Sequence, residues 1–247
     1  MFLKILGSGT CVPFLKRHAP ANYLRIKRTH LLVDCGSGTL FQLEKSGLNY
    51  KEIDIVCITH YHVDHISDLN PLLQALRWTP GFVRKKELVI VGPKGFTQFF
   101  EAHVKLLNSY IPEAPYPLTI KEIEGTLHFL DFSITSCKTI HTENSIGYKF
   151  IENNKSLVIS GDTDYDTNFI SFAKKADVLL LECSFPNNKK AKGHLVSKEC
   201  GTIAKEAEVK KLILTHLYPI SKETRLQETK KIFKNTALAY DLMEVYL

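Results

Sequence analysis

Short apolar stretches alternate with polar, turn-forming residues along the chain, at a spacing that predicts layered strands and helices. Phe2 to Leu6, Tyr23 to Ile26, Leu31 to Asp34, Asp54 to Thr59 and Glu87 to Val91 are brief, rich in β-branched residues and bounded by Gly, Pro, Asn or Asp, as strands are. Thr39 to Lys45, Ser67 to Arg77 and Phe96 to Asn108 space apolar residues near 3.6 and predict helices. The second half repeats the theme. Strands are expected at Leu118 to Ile123, Leu127 to Cys137, Ile146 to Ile151, Leu157 to Ser160, Val178 to Leu181 and Leu212 to Thr215, with helices at Phe169 to Lys174, Ser197 to Glu208 and Lys222 to Phe233. Roughly a dozen strands with interspersed helices predict an α/β arrangement of two packed sheets flanked by helices. The Pro-rich stretch Ile111 to Pro117 is expected to join two related halves of a single domain, 1–247, because strand patterns resume on both sides of it.

Composition narrows the class. With 44% hydrophobic and 10% aromatic side chains, 247 residues can bury a sizeable core, which excludes disordered, collagen-like and coiled-coil chains. No apolar run approaches the ~20 residues a bilayer requires, and the opening is too short for a signal-peptide core. A cytoplasmic protein with no membrane partner is expected. Its six cysteines form no CxxC or CxxxC pair and read as reduced thiols. A formal charge of +6 favours anionic partners without the density of a dedicated nucleic-acid binder.

The chemistry concentrates in Thr59-His60-Tyr61-His62-Val63-Asp64-His65, directly after the apolar IDIVCI. In an extended segment His60 and His62 share a side, and Asp64 and His65 follow where a helix begins. At this chain's His and Asp frequencies such an HxHxDH arises by chance in roughly 6 of 10,000 sequences. Imidazole with carboxylate suits Zn²⁺, and one ion rarely takes all four groups from one short loop. Further ligands are therefore expected elsewhere. His141, Asp162 and His216 each follow an apolar strand, as His60 does, and strand ends are where layered α/β proteins gather functional loops. His18, His30, His103 and His128 lack this setting and read as structural or exposed.

On these residues the chain resembles the metallo-β-lactamase-fold hydrolases, in the branch that includes ribonuclease Z. The match runs through LeuGlySerGlyThr, NYLRIK, HLLVDCGSGT, THYHVDH, His141, Asp162 and His216, and so covers nearly the whole chain. The resemblance implies an αββα sandwich with two metal ions, Zn²⁺ before Mn²⁺ or Fe. One would be held by His60, His62 and His141, the other by Asp64, His65 and His216, with Asp162 bridging. It also implies that Glu182 and His194 move a proton to the leaving group, and with Asp64 they form the expected catalytic set. The alternative for this pair is a strand-end carboxylate and a helix cap.

The resemblance also implies where this chain departs from ribonuclease Z. Only Thr142 to Gly161 separate His141 from Asp162, which leaves no room for the family's tRNA-gripping arm, and Leu217-Tyr218-Pro219 replaces its usual Ser-Pro-Arg. The expected function is therefore a phosphodiesterase acting on a small or cyclic, nucleotide-like phosphodiester. A tRNA 3′ endoribonuclease is the alternative, and a non-catalytic metal-containing accessory protein is the alternative of another class. Relatives of this kind also raise a homodimer. Three features stay open from sequence: the basic loop 187–193 beside His194 as a phosphate contact or a solvated run, Ser8-Gly9-Thr10 as donors to the site or a plain turn, and Trp78 as a loop residue lining the cleft or a buried hinge.

Overall fold

The computed structural model describes residues 1–106, 116–220 and 223–247. Most of the proposed joining stretch, 111–115, lies outside the described residues.

The first sheet contains β1 (Phe2–Gly7), β2 (Ala21–Ile26), β3 (Thr29–Cys35), β4 (Ile55–Cys57), β5 (Leu88–Gly92), β6 (Leu118–Glu122) and, from the far end of the chain, β14 (Met243–Tyr246). The second contains β7 (Thr126–His128), β8 (Ser133–Lys138), β9 (Ile146–Glu152), β10 (Lys155–Ile159), β11 (Val178–Glu182), β12 (Lys211–Thr215) and β13 (Thr236–Leu238). Their orders are β14-β1-β2-β3-β4-β5-β6 and β13-β12-β11-β10-β9-β8-β7. Each sheet is mixed: β3 to β6 run parallel, as do β10 to β13, and the remaining pairs are antiparallel.

The period-two alternation of strands explains the layers. In β3, Leu31 and Val33 enter a core shared between the sheets, while Leu32 faces a second core under α1 (Thr39–Lys45), α3 (Leu69–Trp78) and α4 (Phe96–Leu106). In β11, Val178 and Leu180 face the shared core, whereas Leu179 and Leu181 pack beneath α5 (Thr167–Phe172) and α6 (Ser197–Glu206). Strands buried on both faces read as continuous apolar runs, as VLLL does. Each fully buried leucine contributes about 1.5–3 kcal/mol of transfer free energy. The outcome is the expected αββα sandwich of the metallo-β-lactamase fold.

Some boundaries differ from expectation. Leu127 to Cys137 is two strands, β7 and β8, because Phe129 turns back onto Phe132, its N–H donating to the Phe132 carbonyl at 2.8 Å. The helix expected over Ser67 to Arg77 is α3, preceded by a separate short α2 (Val63–Ile66), and α7 (Arg225–Lys230) is shorter than expected. Strands β13 and β14 were not foreseen. Among the described residues no helix is long and apolar enough to cross a membrane.

Candidate metal centre

The histidine loop is set by β3 and β4. After β4, Ile58 donates its N–H to the Val91 carbonyl, and Thr59 is gripped by Asp34 through its N–H (2.8 Å) and its hydroxyl (2.9 Å). The backbone stays extended through His62, which caps α2 with φ −62° and ψ 145°. The first turn of α2 then carries Asp64 and His65. The remaining candidates come from the other sheet: His141 follows β8, Asp162 follows β10, Glu182 ends β11 and His216 follows β12. Both Asp34 and His216 hold a positive φ, 61° and 55°. Such backbone costs of order 1–3 kcal/mol and persists where side-chain bonds fix it.

All seven metal-ligand candidates converge, in two groups. The ligating atoms of His60, His62, His141 and Asp162 lie within 4.8 Å of one another, as do those of Asp64, His65 and His216. Asp162 stands between them. Its Oδ2 is 3.7 Å from His60 Nε2 and 3.6 Å from His141 Nε2, and its Oδ1 is 3.4 Å from both His65 Nε2 and His216 Nε2. These separations exceed a hydrogen bond. They match two donors around one tetrahedral ion at ~2.0–2.2 Å, which sit roughly 3.3–3.6 Å apart.

Unpaired atoms make the same point. His65 Nε2, His216 Nε2 and Asp162 Oδ1 are buried without a hydrogen-bond partner. An orphaned buried polar atom costs about 1–3 kcal/mol, so three of them facing one point fit a cation there. The opposite nitrogens are held: His60 Nδ1 by Thr59 Oγ1, His65 Nδ1 by Asp34 at 2.8 Å, His141 Nδ1 by the Gly193 carbonyl at 2.9 Å and His216 Nδ1 by Ser184 Oγ at 3.0 Å. That pattern orients imidazoles toward a metal.

The electrostatics agree. Burial, with His65 beside it, pushes the His60 imidazole well down and keeps it neutral. Burial opposes a charge on His65, yet Asp162 and Asp34 carry it well above the ordinary imidazole value. Burial likewise opposes ionisation of Asp162, yet His216 and His65 hold its carboxyl well below the usual range. The proton on His65 stands where a bound cation would displace it.

Next to this cluster, Glu182 is fully buried. It accepts from Thr163 N, Leu195 N and both the N–H and hydroxyl of Ser184. Its Oε1 also takes His194 Nδ1 at 2.9 Å, and His194 lies with Asp162 and His216 in a third group spanning 4.8 Å. Burial works against a proton on His194, but the hydrogen bond and charge of Glu182 raise its affinity for one.

The structure bears on the open features at Lys190, Ser8 and Trp78. Lys190 in the basic loop is committed to Asp164, Glu199 and the His194 carbonyl, so it anchors the loop that presents His194. Ser8 is tied to Asp241 and Arg17. Trp78 is the last residue of α3 instead of a loop residue, and at 63% exposure with Arg77 over its ring it is no buried hinge. Sequence reasoning passed over Asp34 and Ser184, which only contacts across the fold reveal, although Asp34 follows an apolar run as several of the ligand candidates do.

The comparisons are consistent with this geometry. A ribonuclease Z from Listeria monocytogenes is 29% identical over 98% of each chain. One from Ignicoccus hospitalis is 26% identical over 98% of this chain and 97% of its own. The metallo-β-lactamase-fold protein YhfI from Bacillus subtilis superposes with a TM-score of 0.87 at 27% identity, covering 99% of this chain and 98% of its own. The human short-form tRNase Z superposes at 0.83 with 25% identity, covering 100% and 98%. The family model described as anti-Pycsar protein Apyc1 matches residues 1–237. With its His/Asp cluster on this fold, the chain is a metal-dependent hydrolase and belongs to the family of the anti-Pycsar protein Apyc1.

Proposed function

We propose that this protein hydrolyses a small or cyclic phosphodiester, using two Zn²⁺ ions, or Mn²⁺ or Fe in their place. His60, His62 and His141 would hold one ion, Asp64, His65 and His216 the other, and Asp162 both. The observation that carries the reading is the Glu182–His194 pair set against the shared carboxylate, because a phosphodiester expels an alkoxide that needs a proton.

Two such ions lower the pKa of water toward neutrality and clamp the attacking and leaving oxygens of an in-line displacement. The chain's own residues do the rest. Glu182 accepts from His194 Nδ1, which leaves Nε2 as the nitrogen available to substrate. A proton held there passes to the departing oxygen, and Glu182 stabilises the imidazolium beforehand. Asp34, Thr59, Ser184 and the Gly193 carbonyl fix the ligand rings.

A second reading, a tRNA 3′ endoribonuclease, is favoured by relatives named ribonuclease Z along almost the whole chain. Two observations weigh against it. The 142–161 interval is filled by β9 and β10, and those alignments run over 297 and 306 positions against a chain of 247 residues, so the relatives carry segments this chain lacks. Turnover of bis(p-nitrophenyl) phosphate and cyclic nucleotides with added Zn²⁺ or Mn²⁺, beside gel cleavage of a precursor tRNA, separates the readings. Cleavage of the tRNA alone overturns the first, and turnover of none of them leaves a binding protein.

The proposal extends to one working domain, 1–247, since each ion site draws ligands from loops of both sheets. It also includes a cytoplasmic setting, supported by six free cysteines, and a homodimer that light scattering would check.

A further inference from the structure

Glu182 gives its two oxygens to two different histidines. Oε1 takes His194 Nδ1 directly at 2.9 Å, and Oε2 reaches His216 through Ser184, whose Oγ is 2.8 Å from Oε2 and 3.0 Å from His216 Nδ1. The same Oγ lies 3.2 Å from His194 Nδ1, and the serine is fully buried. A hydroxyl has one hydrogen to give, and a carboxylate can only accept it. Ser184 therefore donates to Glu182, and His216 must bring its own hydrogen on Nδ1. Its lone pair is then on Nε2, the buried, unpartnered nitrogen 3.4 Å from both Asp64 Oδ2 and Asp162 Oδ1.

The junction is braced from behind. Glu182 faces Thr215 in the parallel register of β11 and β12, so Glu182 and His216 leave neighbouring strands one position apart. The buried guanidinium of Arg225 spans the two strand ends, with Nη1 donating to the Cys183 and Ser184 carbonyls at 3.2 and 2.8 Å and Nη2 to the Tyr218 carbonyl at 3.0 Å. Glu223 pairs with the same group, 2.9 Å from Nε and 2.6 Å from Nη2. The backbone on either side is thereby fixed, which holds Oγ on its partners. Across the cluster the arrangement is simpler, because Asp34 holds His65 Nδ1 directly at 2.8 Å. With a hydroxyl interposed at His216, one carboxylate serves both a ligand ring and a proton carrier.

We infer that Ser184 is a positioning residue that couples the His216 side of the metal centre to the Glu182–His194 pair. Donation to Glu182 makes Oγ a stronger acceptor for the His216 Nδ1 hydrogen, and an acceptor there makes the opposite nitrogen a better metal donor. The coupling runs both ways, so Glu182 strengthens the ion site and a filled ion site orders Glu182 against His194. The inference rests on the proposed ion site for its ligand and on the phosphodiesterase reading only for its effect on turnover.

The test is a double-mutant cycle read as Zn²⁺ affinity, by competition with a chromophoric chelator, in wild type, Ser184→Ala, Glu182→Gln and the double variant. Ser184→Ala is expected to weaken Zn²⁺ binding by about 10- to 100-fold, as loss of a partner behind a ligand ring does. Glu182→Gln is expected to weaken it clearly more when Ser184 is present than in the alanine background. A serine that only stabilises the fold would shift the melting midpoint and leave the Zn²⁺ cycle unmoved. Wild-type affinity in Ser184→Ala, or a Glu182→Gln effect as large without the hydroxyl as with it, overturns the inference. Ring ¹⁵N resonances of the metal-free wild type give a check that needs no variant: His216 is expected to carry hydrogen on Nδ1, and hydrogen on Nε2 alone overturns it too. On a cyclic nucleotide at saturating Zn²⁺, Ser184→Ala is expected to lower kcat about tenfold and to leave KM within about twofold. An unchanged kcat overturns the link to the proton-delivering pair. If wild type turns over no phosphodiester, the phosphodiesterase reading fails, and the Zn²⁺ cycle still decides the role of Ser184.

Discussion

His194 Nδ1 lies 2.9 Å from the buried Oε1 of Glu182, so the imidazole has one favoured orientation and one free nitrogen. If that nitrogen delivers the leaving-group proton, His194→Ala should lower phosphodiester turnover by ~10²- to 10⁴-fold. The metal content should be unchanged, because His194 is not among the proposed ligands. Turnover equal to wild type would make the pair structural.

Asp162 faces the two halves of the cluster with different oxygens, Oδ2 toward His60 and His141 and Oδ1 toward His65 and His216. Asp162→Ala should therefore lose activity and bind fewer ions, read by elemental analysis after dialysis. An active variant with normal metal content would remove Asp162 from the bridging role.

Tyr148 reaches from β9 across the shared core to the Ile58 and Val91 carbonyls at 2.8 and 3.3 Å, joining the second sheet to the start of the histidine loop. Tyr148→Phe leaves a buried carbonyl short of a donor and should cost about 1–3 kcal/mol of stability. Urea denaturation measures it, and a loss below about 0.5 kcal/mol would mean that the bond contributes little.

Asp177 accepts from Ser156 N and Lys210 Nζ at 2.8 Å, where β10, β11 and β12 begin. Burial opposes its ionisation, yet the Lys210 and Ser156 hydrogen bonds hold its carboxyl below the usual range. A depressed folded pKa stabilises at pH above the unfolded value, ~3.9, and that contribution is lost as pH falls through the folded value. The stability difference between wild type and Asp177→Asn should be full at pH 7 and shrink toward pH 3. A difference independent of pH would show that the charge is not what stabilises.

Free metal should stabilise the protein by an increment that grows with its concentration, about 2.7 kcal/mol at 100 times Kd. Chelation should abolish both this increment and the activity. Melting curves with and without Zn²⁺ measure it, and an unchanged midpoint would argue against a structured ion site.

Much of this architecture was legible because its determinants are local. HxHxDH, the strand ends before His141, Asp162 and His216, and the doubly apolar VLLL each announce themselves within a few residues. What escaped depends on distant contacts. Strand β14 forms only by pairing Met243–Tyr246 with β1, and its own pattern is too short to show. The β7–β8 turn is hidden because Phe129, Leu130 and Phe132 leave Asp131 as its only polar residue. His18 reads as an ordinary surface histidine until Asp241 arrives from the other end of the chain.

The central claim is a paired cation site, and counting the cations tests it most directly. Protein stripped with chelator, reloaded with excess Zn²⁺ or Mn²⁺, freed of unbound ions and analysed for its elements should hold two equivalents per chain, falling in the Asp162→Ala variant. One equivalent or none in the wild type would contradict it.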